Sequence, residues 1–183
     1  MIVAETLSYL KDGKIILYPT DTVWGIGGDA TRPDVVKRIY ALKKRADAKA
    51  LIGLVGSKEM LQNYINPIPT QAFPYLESKE PTTIIYNQPK GLARNMLSEE
   101  KTVGLRLPNH SFLVELLLTF GKAIISTSAN KSGHVTPKSF GEIDPEILEG
   151  VDYIVPLEQE KISSKPSRII KVLPEGAIEI LRP

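Results

Sequence analysis

The sequence predicts a mixed α+β, or irregular α/β, fold built as one domain over residues 1–183. Three observations carry this expectation. A chain of 183 residues has the length of one domain and enough apolar content for a sizeable core. Short apolar or β-branched runs alternate with segments of helical period. The alternation lacks a regular βαβ rhythm, which predicts a mixed rather than purely parallel sheet.

Taken in order, Val3, Leu7 and Leu10 fall at helical spacing and Asp12-Gly13 supplies a stop, so a short amphipathic helix opens the chain. A buried strand follows from Lys14 to Tyr18. Pro19, a cluster of hydroxyls and Gly25, Gly27 and Gly28 then read as a loop, because proline removes a donor and glycine suits turns and close backbone approach. Such a loop at a strand end suits an anionic small molecule, but composition alone favours a strand-to-helix connection whose Thr and Asp cap the turn. Pro33 starts a helix with Val35, Val36, Ile39 and Leu42 on one face and Lys43 and Arg45 at its end. Leu51 to Val55 is an apolar strand. Residues 58 to 79 read as two helical pieces broken around Asn66-Pro67-Ile68-Pro69. Thr82 to Tyr86 and Thr102 to Leu107 are strand-like. Phe112 to Phe120 is an apolar helix ended by Gly121, and Lys122 to Thr127 is a buried strand delivering Ser128, Ala129 and Asn130. Further strands are expected at Tyr153 to Val155, Ser167 to Val172 and Ala177 to Leu181, with a flexible stretch at Glu158 to Lys165.

Charge and composition exclude several classes. The formal net charge is +2, which creates no global field demanding nucleic acid or anionic membrane. The chain has no cysteine, hence no disulfide, thiolate nucleophile or Cys-ligated metal. Its two histidines, His110 and His134, argue against a His-rich metal site. No signal peptide is visible, and Leu116-Leu117-Leu118 is far too short to span a bilayer. A cytoplasmic protein without membrane attachment is expected.

Five segments stand in one order: Tyr18-Pro19-Thr20-Asp21-Thr22-Val23-Trp24-Gly25, Lys43-Lys44-Arg45, Thr102-Val103-Gly104-Leu105-Arg106-Leu107-Pro108, Ser126-Thr127-Ser128-Ala129-Asn130 with Ser132-Gly133, and Ile180-Leu181-Arg182-Pro183. In this order and spacing the chain resembles the YrdC-like family of L-threonylcarbamoyladenylate synthases, in a short single-domain form. That family's patterns run approximately YPTDTVYGLG, KxR, TVxVRxP, TSAN or PSAN with SG following, and ILRPG. The resemblance implies a twisted mixed sheet with flanking helices and a large concave cleft lined by strand ends. It implies synthesis of L-threonylcarbamoyl-AMP from L-threonine, bicarbonate and ATP, with Mg²⁺ carried by the ATP phosphates and pyrophosphate released. Downstream machinery would transfer the threonylcarbamoyl group to a tRNA adenosine.

The residues fit such chemistry without a protein nucleophile or acid–base pair, since positioning and charge stabilisation carry much of phosphate-transfer catalysis. Read alone, Lys43 and Arg45 complement a helix dipole; the resemblance implies that they bind the ATP phosphates. Arg106 alone is the polar residue of a half-buried strand, whereas the resemblance gives its planar fork to the threonine end of the substrate. Ser126 to Asn130 alone is a Ser/Asx turn. By resemblance Thr20, Ser126 and Ser167 contact threonine, while Thr102, Ser128, Asn130, Thr136 and Arg182 contact the nucleotide. No protein metal site is implied.

The chain departs from the family at four places. Lys44 and Ala46 stand where Gly and Pro are usual, and Trp24 replaces a tyrosine. Glu80 replaces a glycine before Pro81-Thr82-Thr83, and Arg168 replaces a threonine after the retained Ser167. Such departures leave open a nucleotide-binding paralogue without synthesis, or one using the basic cleft for RNA or tRNA.

Overall fold

A computed structural model describes residues 1–44, 51–163 and 165–183. Helix α1 (Ile2–Lys11) leads into β1 (Ile16–Tyr18) and β2 (Gly25–Gly27). Helix α2 (Pro33–Leu42), β3 (Ile52–Leu54), α3 (Lys58–Gln62) and α4 (Phe73–Leu76) follow. Strands β4 (Thr82–Asn87) and β5 (Thr102–Arg106) precede α5 (Ser111–Phe120) and β6 (Ile124–Ser128). Helix α6 (Pro145–Gly150), β7 (Tyr153–Ile154), β8 (Arg168–Val172) and β9 (Ile178–Arg182) complete the order.

Among the described residues the strands form one mixed sheet in the order β7-β1-β2-β6-β3-β5-β4-β8-β9. The pairs β1/β7, β3/β5 and β4/β8 are parallel; the other neighbours are antiparallel. Alternation along β1 explains how both faces bury apolar surface. Ile16 and Tyr18 join Leu10 of α1 and Leu113, Leu116 and Leu117 of α5 on one face. Leu17 points to the other, with Val35, Val36 and Ile39 of α2 and Ile147 of α6.

Local chemistry sets the element ends. Pro33 occupies the first turn of α2, where its missing N–H costs nothing. Gly121 ends α5 in the left-handed conformation, φ 72°. Lys44 closes the end of α2 at φ 49°; the glycine usual there in the resembled family has its physical reason in this left-handed backbone.

Two elements differ from the sequence reading. The glycine-rich stretch expected as loop contains β2, paired on both edges between β1 and β6. Glycine is required rather than tolerated at Gly27: a Cβ there would lie 1.9 Å from the Ile125 carbonyl oxygen. Helix α6 was not anticipated; Asp144 caps it by accepting from the Glu146 N–H at 2.9 Å, and Ile147 buries its apolar side.

Candidate active site: a hydroxyl-lined cationic cavity

Strand ends from distant parts of the chain enclose a cavity of about 250 Å³. The β1–β2 connection brings Thr20, Thr22 and Trp24, β4 brings Thr83, β5 brings Arg106, and β6 brings Ser126 and Ser128. Thr136, Ser167 before β8, and Arg182 on β9 close it. Of the residues singled out from sequence, Thr20, Arg106, Ser126, Ser128, Thr136, Ser167 and Arg182 therefore share one concave wall. Lys43, Thr102 and Asn130 do not line it, and Arg45 lies outside the described residues.

Arg106 is the centre of this wall. Only 2% of its side chain is exposed, yet it carries a full charge. Its Nη1 donates to Asp21 Oδ1 at 2.7 Å, and Asp21 Oδ2 accepts from the Asn109 backbone N–H at 3.1 Å. Arg106 Nη2 approaches Thr22 Oγ1 at a long 3.4 Å, and Nε has no hydrogen-bond partner among the described residues. A buried, unpaired N–H on a cation is costly. Arg106 lines the cavity, and an anionic ligand seated against it would supply the partner that this enclosed N–H lacks.

The neighbouring hydroxyls have a defined polarity. Thr20 Oγ1 donates its one proton to the Val23 carbonyl at 2.7 Å. It therefore accepts from the Thr22 N–H and from Thr22 Oγ1, both at 2.9 Å. Thr22 in turn presents its lone pairs to Arg106. Elsewhere on this wall the Thr83 and Ser167 hydroxyls pair at 2.8 Å, and Arg182 Nε donates to the Ser167 carbonyl at 2.8 Å. Partial burial draws the Arg182 guanidinium below its ordinary value. Behind the cavity, burial pushes the Tyr18 phenol up, opposed by Ser126 and the Arg106 charge; its hydroxyl donates to the Ile125 carbonyl at 2.9 Å.

Lys43 is buried beside this wall, where its ammonium donates to the carbonyls of Ser128 and Asn130. The Lys43 carbonyl accepts from the Ser132 N–H at 2.9 Å. Together these bonds hold the turn after β6 against the end of α2. Ser128 Oγ donates to Asn130 Oδ1, and Asn130 Nδ2 donates to the His134 carbonyl. Thr102 sits four residues before Arg106, about 13 Å along β5, with its hydroxyl on Ser98 at 2.7 Å.

Sequence reasoning passed over Asp21, Thr22 and Thr83 as individual residues. The first two lie inside the Thr20-Asp21-Thr22 segment, so a signal existed. Their partner, Arg106, is more than eighty residues away and only the folded sheet joins them.

The departures from the family pattern also have places. Trp24 is buried and packs on Phe140 with ring centroids 5.1 Å apart. Glu80 and Arg168 meet: Arg168 Nη1 lies 3.0 Å from Glu80 Oε2, its guanidinium covers the Tyr75 ring at 5.1 Å, and Nη2 donates to Thr82 Oγ1 at 3.1 Å. The two departures are thus partners, just outside the residues that line the cavity, and Glu80 also pairs with Lys165 at 3.2 Å. Among the described residues no group of three metal-ligating side chains converges, and no helix is long and apolar enough to cross a membrane.

Comparison with known proteins places this architecture. A threonylcarbamoyl-AMP synthase of Pseudoalteromonas translucida is 32% identical over 157 residues, covering 84% of each chain. A putative threonylcarbamoyl-AMP synthase of Methanocaldococcus jannaschii is 32% identical over 183 residues, covering 96% of this chain and 84% of its own. The crystal structure of P. abyssi Sua5 complexed with L-threonine superposes with a TM-score of 0.86 at 26% identity. It covers 99% of this chain, which spans only 53% of that Sua5. A family model, Sua5/YciO/YrdC, described as "Telomere recombination", matches residues 8–183. With nearly its whole length so matched, the chain belongs to the Sua5/YciO/YrdC family.

Proposed function

We propose that this chain is a threonylcarbamoyl-AMP synthase that joins L-threonine, bicarbonate and ATP and releases pyrophosphate. The observation carrying the reading is the buried Arg106 guanidinium in a hydroxyl-lined cavity, with an N–H left for an anionic ligand. It agrees with the names of relatives at 32% identity and with the threonine complex of a structural neighbour.

The geometry supports a mechanism in which the substrates supply the reacting groups. Arg106 grips the threonine carboxylate, with Ser126 and Ser167 as hydroxyl partners and Thr20, its hydroxyl already engaged by Val23 and Thr22, lining the threonine pocket beside them. The threonine amine takes up the one-carbon unit, and a carbamate oxygen then attacks the α-phosphate of ATP. As the bond to the departing pyrophosphate breaks, Arg45 and Lys43 stabilise the charge that accumulates there, Lys43 by turning its ammonium from the Ser128 and Asn130 carbonyls toward the phosphates. Ser128, Asn130, Thr136 and Arg182 hold the nucleotide, which would lie along β5 toward Thr102. Mg²⁺, where used, would be held by the ATP phosphates, because the cavity wall offers hydroxyls and guanidinium groups rather than a carboxylate cage. In this reading residues 1–183 act as one cytoplasmic domain, and the product passes to enzymes that modify a tRNA adenosine.

The test is incubation with ATP, Mg²⁺, labelled bicarbonate and L-threonine. The expected result is pyrophosphate release and an adenylate carrying threonine and the labelled carbon. Absence of label in any adenylate, from folded protein that binds ATP, would overturn the reading and favour a binding-only paralogue.

A further inference from the structure

We propose that Asp21 is a positioning residue which occupies one edge of Arg106 and so assigns the other edge to the substrate carboxylate. The inference rests on the synthase reading above and adds to it a residue and a geometry. An arginine can receive a carboxylate end-on, through Nη1 and Nη2, or side-on, through Nε and Nη2. In this site the choice is already made. Asp21 holds Nη1 at 2.7 Å, while Nε has no partner among the described residues and Nη2 has only the long 3.4 Å approach to Thr22. The edge whose donors the protein leaves unsatisfied is the side-on one.

Asp21 is itself fixed. Its second oxygen accepts from the Asn109 N–H in the segment after β5, and its side chain is 8% exposed. With one oxygen anchored to backbone and the other to Nη1, rotation of the carboxylate is blocked, and with it rotation of the guanidinium. Such a buried pair is poor evidence of a stability role, because desolvation offsets most of its attraction. Orientation of a ligand-binding fork is a function that survives that objection.

The same geometry explains why a lysine could not serve at position 106. Its single ammonium would be drawn to the buried Asp21 carboxylate, leaving the substrate carboxylate without a partner. The proposal therefore makes an unusual demand: neutralising Asp21 must harm the parent protein and help an Arg106→Lys variant.

The experiment measures threonine and ATP saturation for the parent, Asp21→Ala, Asp21→Asn, Arg106→Lys and the double variant Asp21→Asn/Arg106→Lys. Asp21→Ala should raise the threonine KM by roughly tenfold to a hundredfold, the range of a lost charge-assisted contact, while ATP KM moves by less than about threefold. The double variant should show a threonine KM several-fold below that of Arg106→Lys. If Asp21→Ala does not fold, the near-isosteric Asp21→Asn and the double variant carry the test alone. Equal shifts in both substrates, an unchanged threonine KM, or harm from Asp21→Asn in both backgrounds would overturn the proposal. Failure of the synthase reading is separately visible, since no variant, the parent included, would then form a threonine-containing adenylate.

Discussion

Replacing Gly27 with alanine is the sharpest test of the sheet that carries the site. The added Cβ would stand 1.9 Å from the Ile125 carbonyl oxygen and 2.9 Å from Tyr18 Cε1. Neither neighbour can step aside. The Ile125 carbonyl accepts the buried Tyr18 hydroxyl at 2.9 Å, and the Ile125 N–H donates to the Gly28 carbonyl at 2.8 Å. Relieving the overlap means moving β2 away from β6 by more than an ångström. The overpacking costs about 1–3 kcal/mol, and two disturbed hydrogen bonds add about 1 kcal/mol each. The sum, about 3–5 kcal/mol, is a large share of the roughly 5–15 kcal/mol that holds a domain folded. At about 2–4 °C per kcal/mol for a chain of this size, the melting temperature should drop by 6 to 20 °C. Gly141→Ala is the control: no heavy atom stands within 4 Å of its added Cβ and its φ is not positive. It should be neutral or stabilising by about 0.4–1 kcal/mol. Urea and thermal unfolding followed by circular dichroism measure both. A Gly27→Ala protein within about 1 kcal/mol of its parent, or indistinguishable from Gly141→Ala, would refute the reasoning.

Three further outcomes follow from the structure. Burial pushes the Tyr18 and Tyr86 phenols above their ordinary value of 10.0. Below that value both states keep the proton and the phenols add no slope; above it the unfolded chain releases protons that the folded chain retains. Stability should fall above about pH 10 by roughly 1.4 kcal/mol per pH unit for each phenol, and pH-dependent urea midpoints should show a shallower fall in each Tyr→Phe variant. At neutral pH, Tyr18→Phe should lose about 1 kcal/mol with its bond to Ile125, whereas Tyr86→Phe, whose hydroxyl is buried without a partner, should not destabilise. For the paired departures, Glu80→Gln and Arg168→Gln should be coupled by no more than about 1 kcal/mol, since the partners are 36% and 20% exposed and screened. A double-mutant cycle in urea at low and high salt checks this, and coupling that ignores salt would count against an ionic origin.

Much of the fold was legible because its signals are local. Period and capping mark α2 and α5: Val35, Val36 and Ile39 share a face, Pro33 starts the one and Gly121 ends the other. Strand β2 was not legible, because glycine is a poor strand former and the reason for Gly27 is a carbonyl on β6, nearly a hundred residues later. Helix α6 is one and a half turns with a single fully buried side chain, Ile147, too little to show a period. For the site, the ordered motifs brought out Thr20, Arg106, Ser126, Ser128 and Arg182, and the family resemblance added Ser167; the fold gathers all six around one cavity. The ordered motifs could not divide labour within a motif. Asp21 differs from its hydroxyl neighbours only through its bond to Arg106 and the backbone beyond β5, contacts that exist after the sheet has formed.

The meeting of Glu80 with Arg168 has a consequence for anyone building chimeras within the family. A segment carrying β8 from a relative with threonine at that position would leave Glu80 facing Tyr75 and Thr82 without its guanidinium. Importing only the start of β4 with its glycine would strand Arg168 in the same way. The two segments lie on parallel neighbouring strands, with Thr82 opposite Arg168 in register. They form a single transplantable unit despite their distance in the chain, and grafts that respect the ladder rather than the linear sequence are the ones that keep the Glu80–Arg168 contact.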